Sequence, residues 1–197
     1  MCGITGLINL NQEPVSPILL QKMTDVISHR GPDGEGHWID KNIGLGHRRL
    51  AIIDTSPAGH QPMISSDHRY ILSYNGEVYN FRELRAELEA EGYKFRSKTD
   101  SEVVLYSLAK WGKNALLKFN GMFALAFWDR KKQKLLLARD RYGVKPLYYA
   151  KQGYLFTFGS EQKAITVQNN FKKKINKPAL LEYFTFQNIF TNQTFLK

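Results

Sequence analysis

Residue 2 is the single cysteine of a 197-residue chain. A small second residue lets the initiator methionine be removed, and its loss here would leave a thiol and a free α-amine on one residue. A thiol of pKa ~8.5 is only slightly ionised at neutral pH, whereas an α-amine of pKa ~7.7–8.0 has enough neutral form to take its proton, directly or through water. Cys2 is thus a nucleophile with its own base. Read alone, it also fits a small residue opening a strand, or an acylation site.

A second group sits at Tyr74-Asn75-Gly76-Glu77. The side-chain NH2 of Asn75 and the unobstructed N–H of Gly76 suit the oxyanion of a tetrahedral intermediate, each donor contributing ~3 kcal/mol to the barrier. Asn-Gly is equally a type I′ hairpin signal. Only Glu77, Val78 and Tyr79 separate it from a helix start at Asn80, too few for a returning strand, so the hairpin reading weakens.

The elements that position these groups follow from periodicity and punctuation. Residues 3–10 read as a strand. Ser16-Pro17 opens a helix over 17–29, with Leu19, Leu20, Met23, Val26 and Ile27 at helical spacing. The turn-rich stretch 30–36 leads to a strand over 43–54, which places Arg48 and Arg49 on opposite faces. Residues 70–74 form another strand. Asn80 with Glu83, and Thr99 with Glu102, predict capping boxes for helices ending at Gly92 and Trp111. Two hairpins follow, 122–129 with 135–139, and 147–150 with 154–158 around Gln152-Gly153, then short helices over 160–165 and 178–184. Hairpins beside helices without regular alternation predict an α+β fold with antiparallel sheets.

Composition bounds the rest. With 43% hydrophobic and 23% charged residues, the chain reads as one globular domain rather than a disordered or low-complexity protein. Its longest apolar run, 122–128, is far short of the ~20 residues of a membrane span, and no secretory signal is expected. One cysteine excludes an internal disulfide, a Cys-based zinc site and an iron–sulfur cluster, which suits a reducing cytoplasm. The histidines (His29, His37, His47, His60, His68) form no close helical pair, so no metal is expected. The net charge of +10 is concentrated in residues 99–197, with 17 Lys and Arg against 6 Asp and Glu. These are scattered without interleaved aromatic residues, so a solvated face is favoured over a nucleic-acid surface.

Several motifs in order, MCGITG (1–6), HRGPDGEG (29–36), GHRRLAIID (46–54), YNGE (74–77), TDSE (99–102), GMFALAFWD (121–129) and RDRYGVKPLYY (139–149), resemble the class II glutamine amidotransferase domain of glutamine-hydrolysing asparagine synthetases. The resemblance covers nearly the whole chain. It implies an N-terminal-nucleophile hydrolase with an αββα sandwich, in which Cys2 attacks the glutamine carboxamide and forms a γ-glutamyl thioester while Asn75 and Gly76 hold the oxyanion. It assigns Arg49 to the α-carboxylate and Glu77 and Asp100 to the α-ammonium, with the backbone at Ile52 and Ile53 lining the pocket.

His47 is given no catalytic role, Asp33 and Glu35 serve their turn, and Arg139, Asp140, Lys145 and Glu161 read as structural. The resemblance further implies a domain over 2–197 in a chain that continues into an ATP-dependent synthetase domain. ATP and Mg would act there, since this chain has no Ser-Gly-Gly loop and no GxxxxGK[ST]. A homodimer is compatible with it. The other readings are a glutaminase feeding a different acceptor and a non-catalytic binding or regulatory module with a basic face.

Overall fold

The computed structural model describes residues 1–52, 56–169, 171–191 and 193–196. The chain forms two compact units, Met1–Val167 and Gln168–Lys197. In the first, β1 (Gly3–Asn9) leads to α1 (Pro17–Asp25), β2 (Gly34–Asp40) and β3 (Ile43–Arg49). Then come β4 (Met63–Ile64), β5 (Tyr70–Val78), α2 (Phe81–Ala90), α3 (Asp100–Trp111), the short α4 (Ala115–Lys118), β6 (Gly121–Asp129) and β7 (Lys134–Arg139). The unit closes with β8 (Tyr148–Gln152), β9 (Leu155–Gly159) and α5 (Gln162–Thr166).

Two antiparallel sheets result, ordered β2-β3-β1-β9-β8 and β4-β5-β6-β7. Strand periodicity explains how they stack. Along β6, Phe123, Leu125 and Phe127 join a core shared with Leu84 and Leu88 of α2 and Val104 and Leu108 of α3. The alternate residues Ala126 and Trp128 meet Ile43, Leu45 and Phe158 of the other sheet. A third cluster, Leu7, Val15, Leu20 and Met23, seals α1 against the first sheet. The order of layers is helix, sheet, sheet, helix. Each fully buried large apolar side chain contributes about 1.5–3 kcal/mol of transfer free energy to it.

Local chemistry sets the boundaries. Ser16 Oγ accepts the Leu19 N–H at 3.2 Å with Pro17 in the first turn, as expected. The helix stops at Asp25, earlier than periodicity implies, and a separate 3-10 turn covers Ser28–Arg30. β3 ends at Arg49, while residues 53–54 of its expected span lie outside the described residues. Thr99 Oγ1 caps α3 by accepting the Glu102 N–H at 3.2 Å. The capping box expected at Asn80 does not form: its Nδ2 donates to Lys118 O at 2.9 Å and its Oδ1 accepts from Asn120 N at 2.9 Å. A tertiary pairing has taken the groups that a local cap would use.

The largest departure concerns residues 75–78. β5 does not end at Tyr74 but runs to Val78, with Asn75 paired to Ala124 and Gly76 to Phe123. The hairpin reading of Asn-Gly is thereby excluded, because both residues lie inside a strand.

The second unit holds α6 (Lys177–Phe186), which ends at Gln187 in the left-handed conformation, φ +53°. Its N-terminus is tied by Asn176, whose Nδ2 donates to Gln193 Oε1 at 2.7 Å and Thr194 O at 3.1 Å. Among the described residues, no helix is long and apolar enough to cross a membrane.

Candidate active site

β1 is the central strand of its sheet and starts one residue after Cys2, so the thiol emerges where that sheet faces β5. The register Gly3 to Arg48 sets Cys2 beside the end of β3. Leu50 N donates to Sγ at 3.3 Å, and Sγ donates to Leu50 O at 3.5 Å. Gly31 lets its own segment pass against the end of β3: a Cβ there would lie 2.4 Å from the carbonyl carbon of Arg48. From below, Arg30 Nε donates to the Cys2 carbonyl at 3.0 Å.

Asn75 faces the same space. Its Nδ2 is buried and has no hydrogen-bond partner among the described residues, a costly state for a donor unless something else fills it. The Gly76 amide follows from the ladder. Phe123 spends its N–H on Asp140 Oδ2 at 3.2 Å and accepts Asp140 N at 2.8 Å, so its partner Gly76 turns its own N–H away from β6. Along that edge Tyr74 N donates to Gln61 Oε1 at 2.7 Å and Val78 N to Asp100 Oδ2 at 3.0 Å. The Gly76 N–H lies between these two satisfied donors and opens on the cavity. No side chain is tolerated at this position, since a Cβ would stand 2.4 Å from Met122 O and 2.7 Å from Phe123 Cβ.

These groups line one cavity of about 120 Å³ together with Arg49, Ile52, Glu77 and Asp100. Seven of the eight residues singled out from sequence therefore converge, and Ile53 lies outside the described residues. Arg49 points into the cavity and donates from Nη1 to Ser56 O at 2.9 Å. Its neighbour Arg48 turns to the opposite face and pairs with Asp25 at 2.5 Å and Glu35 at 2.6 Å. Chemically the cavity offers a thiol, two N–H donors, a guanidinium and two carboxylates. That combination suits a small molecule carrying a carbonyl, a carboxylate and an ammonium group.

Residues 1–197 match, over their full length, the family described as "Glutamine amidotransferase domain". The chain belongs to that family. It is 42% identical over 187 residues to asparagine synthetase [glutamine-hydrolyzing] 3 of Bacillus subtilis (strain 168), covering 93% of this chain and 30% of that protein. It is 37% identical over 170 residues to asparagine synthetase B [glutamine-hydrolyzing] of Escherichia coli (strain K12), covering 84% of this chain and 30% of that one. The chain thus spans about 30% of the length of these relatives. In fold it resembles glutamine phosphoribosylpyrophosphate amidotransferase of B. subtilis, with a TM-score of 0.72 at 22% identity over 84% of this chain and 43% of that one. The amidotransferase domain thus shares an α+β four-layer fold with that structure, two antiparallel sheets between helical layers.

Electrostatics in the amidotransferase domain bear on the thiol. Burial pushes the Cys2 thiol up, and the Leu50 N–H, the chain's α-ammonium and Arg49 recover only part of that rise. A buried thiol in this state needs a base at hand. Burial likewise raises Asp100, against the hydrogen bonds from Val78 N and Tyr74 OH, with Glu77 adding to the rise. His47 is fully buried and held down at about 3 by burial first, then by His60 and Arg49. Ser73 Oγ donates to Gly46 O at 3.1 Å and so accepts from His47 Nδ1 at 3.3 Å. The imidazole is a neutral bridge between the sheets.

Sequence reasoning underrated several supports of the domain. Glu161 is structural, as expected, and links distant segments: it accepts from Arg30 Nη1 at 3.0 Å and His29 Nε2 at 2.8 Å. Burial pushes its carboxyl up, yet the bonds from Arg30, Lys163 and His29 win and hold it at about 2. Asp33 serves more than its own turn, because its Oδ2 accepts Ala51 N at 2.9 Å and steadies the cavity rim. Glu35 likewise reaches out to Arg48. Gln61 and Lys145 line the cavity, though neither was selected as a site residue. For Lys145 the RDRYGVKPLYY motif was the available signal; for Gln61 no local pattern exists.

Proposed function

We propose that this domain hydrolyses L-glutamine to L-glutamate and ammonia, and that the ammonia serves ATP-dependent synthesis of asparagine from aspartate. The observation that carries the reading is the buried, unpaired Nδ2 of Asn75 opening on the cavity that holds Cys2. After Met1 is removed, the α-amine of Cys2 takes the Sγ proton and the thiolate attacks the carboxamide carbon of glutamine. Asn75 Nδ2 and Gly76 N donate to the oxyanion. The intermediate collapses with the C–N bond breaking, and the α-ammonium gives the leaving group its proton so that ammonia departs. The amine then removes a proton from water, which attacks the γ-glutamyl thioester and releases glutamate and the thiol.

Arg49 pairs with the substrate α-carboxylate, Glu77 and Asp100 with its α-ammonium, and the backbone at Ile52 and Ile53 lines the pocket. The glutaminase step needs no cofactor. ATP and Mg belong to the synthetase portion that the relatives' greater length accommodates, and a free catalytic thiol fits the cytoplasm.

The test is intact mass before and after 6-diazo-5-oxo-norleucine. Loss of Met1 and a single adduct, absent in Cys2→Ala and blocked by glutamine, is the expected result. A processed Cys2 that stays unlabelled would sink the reading.

A further inference from the structure

Tyr74 carries a hydroxyl that its packing does not need. The residue is 2% exposed, and its ring belongs to the core shared with Val78, Leu84 and Val104. Phenylalanine would fill the same space. Only the hydroxyl distinguishes tyrosine there, and a buried hydroxyl is costly unless it is bonded. Its partner is Asp100 Oδ2 at 2.8 Å. The same oxygen accepts Val78 N at 3.0 Å. Two donors of β5, from the residues that flank Gly76 at two positions on either side, thus converge on one carboxylate oxygen.

Both bonds fall on Oδ2 and neither on Oδ1. Asp100 is the first residue of α3, 4% exposed, and still lines the cavity that holds Cys2. Its carboxyl is under opposing influences. Burial raises it and Glu77 of β5 adds to the rise, while the bonds from Val78 N, Tyr74 OH and Ser101 N favour the ionised form. The phenol keeps its own proton, because burial first and Asp100 next push it well above its ordinary value. Tyr74 is therefore always the donor in this pair, and a donor to a carboxylate makes a short, strong bond. An acid in the first turn of a helix also complements the helix dipole, but that role needs no tyrosine.

We propose that Tyr74 is a positioning residue for ammonium recognition: its hydroxyl fixes Asp100 by Oδ2 and leaves Oδ1 for the α-ammonium of glutamine, so that the site selects ligands carrying that group. The inference deepens the glutaminase reading and rests on its assignment of Asp100. Removing the hydroxyl leaves the ring, the core and the Val78 bond in place. What is lost is one of the two β5 donors that hold the carboxylate ionised and aimed.

The experiment compares Tyr74→Phe with the parent in the full-length protein. KM for L-glutamine should rise about tenfold with kcat within twofold. Glutaric acid monoamide has the carboxamide and carboxylate of glutamine but no α-amine, and its inhibition constant should change less than twofold. On an Asp100→Asn background, where the charge is already gone, Tyr74→Phe should change KM less than twofold. An inhibition constant that rises in step with KM overturns the proposal, as does full additivity of the two substitutions or a KM that Tyr74→Phe leaves in place. Calorimetric binding of L-glutamine to the Cys2→Ala protein separates this inference from the catalytic reading. Binding weakened tenfold by Tyr74→Phe would keep the role of Tyr74 even if the Cys2 protein released no glutamate, a result that would sink the reading of Cys2. A parent that binds no glutamine would overturn both.

Discussion

Leu50 holds the Cys2 thiol through both of its backbone groups, its N–H donating to Sγ at 3.3 Å and its carbonyl accepting from Sγ at 3.5 Å. The residue before it, Arg49, lines the same cavity. One peptide segment at the end of β3 therefore aims the nucleophile and presents the cation. The chemistry proposed for the site divides accordingly between groups that act in the transition state and groups that bind the ground state.

Asn75 belongs to the first kind. Asn75→Ala deletes a buried donor without disturbing the β5 ladder and is expected to lower kcat for glutamine hydrolysis by about 10²–10³-fold, with KM nearly unchanged. Steady-state glutamate release measures both. A variant that raised KM and spared kcat would remove Asn75 from the oxyanion site.

Asp100 belongs to the second kind. Asp100→Asn keeps an acceptor for Val78 N and Tyr74 OH but discards the charge, so KM for glutamine should rise by about tenfold or more while kcat falls less. Equal losses in kcat and thermal stability, with KM intact, would mark Asp100 as a purely structural helix residue.

Gly76 is constrained by contact rather than by backbone angle. A Cβ would stand 2.4 Å from Met122 O and 2.7 Å from Phe123 Cβ, so Gly76→Ala must push β5 away from β6. The expected cost is about 2 kcal/mol or more in urea unfolding, accompanied by loss of glutaminase activity. Native stability with native activity in this variant would contradict the tight β5–β6 pairing.

His47 predicts an acid limb of stability. Burial holds its folded value at about 3, against roughly 6.5 in the unfolded chain. The unfolded state thus takes up the proton first. The stability conferred by a neutral His47 is complete above about pH 6.5 and is lost as pH falls towards 3, by about 2–3 kcal/mol between pH 6.5 and 4.5. His37, also lowered by burial, works in the same direction. The Glu161 carboxylate stays charged in that window, since its contribution is lost only as pH falls from about 4.5 to 2. Urea denaturation at pH 7 and pH 5 should show a smaller pH-dependent drop for His47→Asn than for the parent. Equal drops would place the titration elsewhere.

Much of this protein is legible in one dimension because its signals are local. A lone cysteine at residue 2 would carry its own α-amine once Met1 is removed, Ser16 and Thr99 announce helix starts, and the unbroken apolar run 122–128 falls in a strand buried on both faces. The ordered motifs supply the family and, through it, the cavity residues. Other features needed the third dimension. Asn75-Gly76 carries a turn signature, and only pairing with Phe123 and Ala124 makes it strand and turns the Gly76 N–H outward. Asn80 forgoes its own helix for residues 118 and 120. Lys145 looks like one more lysine in a basic half until the clamp of Asp140 and Arg139 sets its Nζ against Met1. Propensity and caps depend on neighbours within a few residues, so sequence determines them. The solvation of a charge and the partner of a donor depend on groups brought together by packing, which the fold alone decides.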